Sequence, residues 1–256
     1  MGRFVGHVGA AVVLLAVAGA IGEGCVHPNT MLVLRAVQAP SDNCTYSSDR
    51  NATSVSKGVL DLGLTASYHA ALLVGSQLVS TSEANTPTAE TNRIIVNGVS
   101  IRVTDVKGAP VGEAFSTVAT GTVDPASGGS IGPYEVVQST LLTKTLANAI
   151  GSALGPGETR EVVANTRVFG KTLGGLKVES NEYPFPIIVC DGCLVYFPPN
   201  DDCTKAPEST QAIPPEVNSS QSKCTPGQDQ PVGCWTCHPA RPMCVPTTNP
   251  WHASPG

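Results

Sequence analysis

The groups best placed to do chemistry are nine cysteines, and they are unevenly spread. Cys25 and Cys44 stand near the start, while Cys190, Cys193, Cys203, Cys224, Cys234, Cys237 and Cys244 cluster near the end. Within the cluster, Cys234-Trp235-Thr236-Cys237-His238 has the spacing at which two thiols form thioethers to a haem and the following imidazole ligates its iron. Cys190-x-x-Cys193 and Cys234-x-x-Cys237 together offer four thiolates, the number that tetrahedral zinc takes. Oxidation competes with both uses, because crowded thiols in an exported chain pair with one another. The favoured reading is therefore a disulfide-stapled segment with His238 incidental and no bound metal.

Other catalytic patterns are incomplete. Gly128-Gly129-Ser130-Ile131-Gly132 fits the Gly-x-Ser-x-Gly elbow, which needs a strand before the serine and a helix after it. Asp124-Pro125 and Pro133 supply neither flank. His27, His69 and His252 have no acid or nucleophile beside them in a recognisable order, and His69 reads as a solvent-facing strand residue. Neither Cys-x-x-Cys has the strand and helix N-terminus of a redox site. No phosphate loop, dinucleotide fingerprint, EF-hand or His-Glu-x-x-His occurs. No catalytic residue is assigned, no cofactor is expected, and the chain is read as a non-enzyme. The five residues Cys234 to His238 resemble the attachment site of c-type cytochromes, which makes a haem electron-transfer protein the alternative function.

The N-terminus gives the cysteines a compartment. Arg3 precedes an apolar run, Val8 to Ile21, of signal-peptide length and too short to span a bilayer as a helix. Ala18-Gly19-Ala20 suits ordinary signal-peptide cleavage, whereas Gly24-Cys25 resembles the site at which bacterial lipoproteins are cut and acylated. Parity separates the two: with Cys25 lipidated, eight cysteines remain, and all pair only if Cys44 joins one of the seven in the tail. The competing arrangement, Cys25 paired with Cys44, strands one thiol in the tail. Residues 1–24 are thus read as a signal peptide and Cys25 as the lipidation site. Cys44, Cys190, Cys193, Cys203, Cys224, Cys234, Cys237 and Cys244 are the disulfide candidates.

The elements that must carry these groups are strands. From Met31 onward short apolar stretches alternate with Gly, Ser, Thr, Asn and Pro, and the spacing leaves little room for crossover helices. Strands are predicted at 31–36, 59–64, 67–74, 115–123 and 186–190. A hairpin is predicted over 94–106, turning at Asn97-Gly98. Another has Val162, Ala164, Thr166 and Val168 on its buried face, Gly174-Gly175 at its turn, then Leu176 and Val178 alternating with Lys177 and Glu179. Leu142, Leu146, Ile150 and Ala153 follow helical spacing up to Gly155-Pro156-Gly157. The expected fold is mainly β: an antiparallel, Ig-like β-sandwich over residues 25–189 with one short helix, followed by an irregular disulfide-rich tail, 190–256.

The tail differs in kind. Residues 191–256 hold 12 of the 21 prolines and both tryptophans, so cross-links rather than burial must order them. A net charge of −5 with 15 Lys and Arg supplies little of the attraction that nucleic acids require. No nucleic-acid partner is expected. Asn43, Asn51 and Asn218 head glycosylation-type tripeptides that read more simply as polar loops. The whole layout resembles that of bacterial predicted lipoproteins in which a β domain precedes a Cys/Pro-rich segment, a family with no assigned activity. The resemblance implies a secreted or lipid-anchored structural or interaction protein of the cell envelope. Its place would be the outer membrane, otherwise the periplasm or exterior. Its partners would be the membrane, through the N-terminal lipid, and an envelope protein or glycan.

Overall fold

The computed structural model describes residues 30–81, 89–127, 131–207, 213–218 and 223–252. Residues 1–24, expected as a signal peptide, and Cys25, His27 and Ser130 lie outside these residues. The elements in chain order are β1 (Thr30–Gln38), β2 (Ser54–Val55), β3 (Gly58–Asp61), β4 (Tyr68–Ser76), β5 (Ile94–Asp105), β6 (Phe115–Val123), β7 (Glu135–Leu142), α1 (Lys144–Gly151), β8 (Arg160–Thr172), β9 (Lys177–Ser180), β10 (Tyr183–Cys190), β11 (Val195–Tyr196) and β12 (Val232–Gly233).

The long strand β8 organises the sheet. One edge pairs with β5 from Val162 to Thr172, while the other is shared, with β10 taking Arg160 to Thr166 and β9 taking Phe169 to Lys171. From β10 the sheet continues to β3, and from β9 it continues through β1 and β4 to β7. The end strands β6 and β7 then meet, Thr117 and Ser139 sharing a hydroxyl hydrogen bond of 2.7 Å. The sheet therefore curls around one core, in which Leu32, Leu72, Ile94, Ile101, Val168 and Phe185 are almost wholly buried.

The expected antiparallel arrangement holds only in part, because β3–β10 and β1–β9 are parallel. Both pairings join strands distant in sequence, where turn signals carry no information about direction. The predicted Asn97-Gly98 turn is also corrected: β5 runs straight through it as a bulge, with the register slipping by one residue against β6 and β8. Glycine is required there because a Cβ would lie 2.6 Å from Phe169 Cζ and 2.7 Å from the Thr117 carbonyl oxygen. The hairpin partner of β5 is β6, with Ile101 opposite Phe115.

The β8–β9 hairpin follows the predicted alternation, with Val162, Ala164, Thr166, Val168 and Val178 buried, but Leu176 is 48% exposed at its tip. The helix α1 is capped by Thr143, whose Oγ1 accepts from the Leu146 N–H, and it covers the core with Ala147 and Ile150. The strand β7 lies directly before it, and the leucine spacing that marks the helix masks this strand in the sequence.

Candidate functional site

The tail begins where β10 ends, and two carboxylates from opposite sides, one buried and one half-buried, fix it to the β domain. Asp61, the last residue of β3, is fully buried. Its Oδ1 accepts from the N–H of Gly63 at 2.9 Å and of Gly192 at 2.7 Å, and its Oδ2 accepts from the N–H of Leu194 at 2.7 Å. Burial pushes this carboxyl upward, opposed by the three N–H donors. The loop Cys190-Asp191-Gly192-Cys193 is closed by its own disulfide and held on Asp61. Asn249, buried nearby, donates from Nδ2 to the carbonyls of Gly192 (2.9 Å) and Met243 (2.7 Å), which returns the end of the tail to the same loop.

The second carboxylate comes from the tail. Residues 227–229 continue the sheet along β3: Asp61 N–H donates to the Gly227 carbonyl at 2.9 Å and Asp229 N–H to the Val59 carbonyl at 3.0 Å. Asp229 Oδ1 accepts from the Val59 N–H at 2.9 Å, and the buried Tyr68 hydroxyl donates to the same carboxylate. Burial raises the Asp229 carboxyl above the ordinary aspartate range, and burial followed by the charge of Asp229 raises the Tyr68 phenol well above its own. Gln228 behaves like one more strand residue, accepting from His69 N–H and donating to the His69 carbonyl, both at 2.8 Å. Arg241 Nη1 adds bonds to the carbonyls of Gly63 and Leu64.

Disulfides complete the attachment. Cys44 is joined to Cys224, Cys190 to Cys193, Cys203 to Cys234 and Cys237 to Cys244. This arrangement decides between the inorganic readings of the cysteines. Cys234 and Cys237 are bonded to different partners, so neither keeps a thiol for a thioether, and Cys234 to His238 does not fit a haem. The four thiolates of a zinc site are likewise all in disulfides. Asp61, Cys190 and Cys193 bring one carboxylate oxygen and two sulfurs within 4.8 Å of one another. That grouping is the loop anchor just described, with its sulfurs bonded together and its oxygens accepting N–H donors.

Fixed in this way, the tail carries an aromatic surface. Tyr196 and Trp235 meet edge to face at 6.2 Å, Phe197 lies 4.5 Å from His252, and Trp251 is 39% exposed with its indole N–H donating to the Asp191 carbonyl. His252 Nε2 is 3.0 Å from Asp201 Oδ1. His69, as expected, faces outward from β4. It is hydrogen-bonded to Ser67 Oγ (2.9 Å) and Thr140 Oγ1 (3.1 Å), beside an open groove of about 210 Å³ that also holds Tyr46 and Gln138. These partners are hydroxyls, and among the described residues no acid is hydrogen-bonded to the ring. Asp61, Asp229 and Gln228 carry no local signal, because the partners that give them a role lie more than 100 residues away. Only the cysteine count indicates in advance that the tail must fold back on the β domain.

Comparison with family models, with curated proteins and with solved structures found no match. The four disulfides fit a compartment outside the cytoplasm, and among the described residues no helix is long and apolar enough to cross a membrane.

Proposed function

We propose that this chain is an exported, lipid-anchored interaction module of the cell envelope, held in the outer membrane through Cys25 and binding an envelope protein or glycan through its stapled tail. The observation that carries the reading is the cysteine inventory: eight of nine are consumed in four disulfides, which leaves Cys25, directly after Gly24, with no cysteine to pair with. An unpaired thiol is a liability in an oxidising compartment, and thioether linkage to a diacylglycerol removes it.

The curled, sandwich-like β domain serves in this reading as scaffold. The tail supplies the contact surface, since Tyr196, Trp235 and Trp251 offer apolar faces with polar edges and Phe197 adds an apolar face. The cross-links lower the entropy lost when a partner binds. No catalytic role is assigned.

Cell fractionation of the Cys25→Ser variant tests the anchor. The parent is expected in the membrane fraction, released only by detergent, and the variant in the soluble exported fraction. A parent protein that is soluble without detergent contradicts the reading.

A further inference from the structure

Of the seven large aliphatic side chains exposed among the described residues, five gather at one end, while Val106 and Val118, 63% and 88% exposed, lie elsewhere. Because β1 runs parallel to β9 with Thr30 beside Glu179, the chain leading back toward Cys25 leaves the fold on the side of the β8–β9 hairpin tip. That tip exposes Leu173 (57%) and Leu176 (48%). Around it lie Ile95, paired with Lys171, together with Val79 (57% exposed) and Ile131.

Hydrogen bonds tie these loops into one surface. Leu173 and Gly174 N–H groups donate to the carbonyls of Arg93 and Thr91, Asn92 Nδ2 donates to the Val79 carbonyl at 2.7 Å, Ser80 N–H to the Ala126 carbonyl, and Gly132 N–H to the Ser76 carbonyl. The tail attaches at the opposite end, where β10 finishes beside the start of β8.

We propose that this end docks on the bilayer surface, with Leu173, Leu176 and Val79 entering the headgroup region; the inference rests on lipidation of Cys25. The length of chain supports it. Five steps separate Cys25 from Thr30 and reach about 18 Å at full extension, while the hairpin tip projects about 10 Å beyond Thr30 at the rise of a strand. A lipid inserted at Cys25 therefore keeps the tip within reach of the membrane.

Charge points the same way. Lys171 and Lys177 face each other across the hairpin, both exposed, an arrangement unfavourable in isolation and relieved by anionic lipid phosphates. The diacylglycerol holds the protein on the membrane, and the aliphatic tip adds a second contact that sets its orientation there. Docked this way, the molecule turns its aromatic tail away from the membrane toward a partner.

Photo-crosslinking of the full-length protein, recovered from membranes and reconstituted in vesicles of phosphatidylethanolamine and phosphatidylglycerol, tests the proposal. The photoreactive residue benzoylphenylalanine replaces Leu176 or Val79, and for comparison Val106, which is exposed at the tail end. Lipid adducts at Leu176 and Val79 are expected to exceed those at Val106 by about tenfold. Equal yields at the three positions overturn the docking, as does a covalent dimer formed through Leu176, which would make a second copy the occupant. Intact mass of the same sample keeps the two claims apart: acylated Cys25 with equal yields rejects the docking alone, whereas unmodified Cys25 rejects the anchor and the docking with it.

Discussion

The Tyr68 hydroxyl lies 2.9 Å from Asp229 Oδ2 and 3.0 Å from Oδ1, so the largest buried side chain of β4 is bonded to a residue 161 positions later in the tail. A bond to a half-buried carboxylate is worth more than one between neutral groups, and removing its donor leaves charge poorly compensated. Tyr68→Phe is therefore expected to cost about 1.5 to 3 kcal/mol in urea unfolding. A change within the error of the measurement would show that the tail is not held through this contact.

Asp229 also gives stability a pH dependence. Burial raises its pKa in the folded state above the ordinary 3.8, so from that pH upward to the folded pKa the native state binds more protons than the unfolded one. Its contribution is most favourable below the unfolded pKa and declines as pH rises through the folded value. Asp229→Asn does not titrate, so the stability it loses relative to the parent is expected to be largest in acid and to shrink toward neutrality. Paired urea titrations across that range check the sign; a loss that grows with pH contradicts the assignment.

The disulfides are expected to contribute unequally. Cys44–Cys224 spans a sequence separation of 180 and Cys190–Cys193 one of 3. In the chain-entropy model these closures are worth about 5 and about 2 kcal/mol. Replacing Cys44 and Cys224 together by serine should lower stability well beyond the loss from replacing Cys190 and Cys193. The reverse order would place the main effect of the short bridge in native contacts around Asp61.

Ile101 is 1% exposed on β5, while Ser100 faces the other side at the edge of an open groove. Ile101→Asp buries an unpaired carboxylate and is expected to destabilise by about 3 to 5 kcal/mol, against at most about 1 kcal/mol for Ser100→Asp. Equal effects would mean that the facing of β5 is misassigned.

These residues also show what could be read in advance. Alternation places Ile101, Val162 and Val168 inward, because period-two patterning is a local property of each strand. The same logic fails at Asn97-Gly98, since a bulge and a tight turn draw on the same residues, and only the close approach of Phe169 and the Thr117 carbonyl distinguishes them. Leu176 fits the inward series but sits past the last paired residues of the hairpin, where the alternation has no second strand to face. The long bridge from Cys44 is legible from parity, whereas its partner Cys224 is not. Asp61 and Asp229 are illegible altogether: isolated acids gain meaning only when the sheet edge of β3 and the tail meet.

The proposed function joins eight paired cysteines to a ninth proposed to carry lipid. Intact-mass spectrometry of protein extracted from its native membrane, with thiols alkylated before and after reduction, reads both at once. The expected result is a mature chain beginning at Cys25 with the added mass of acyl groups, no alkylation before reduction, and eight alkylated cysteines after it. A chain beginning at Ile21, with Cys25 alkylated as a free thiol, would contradict it.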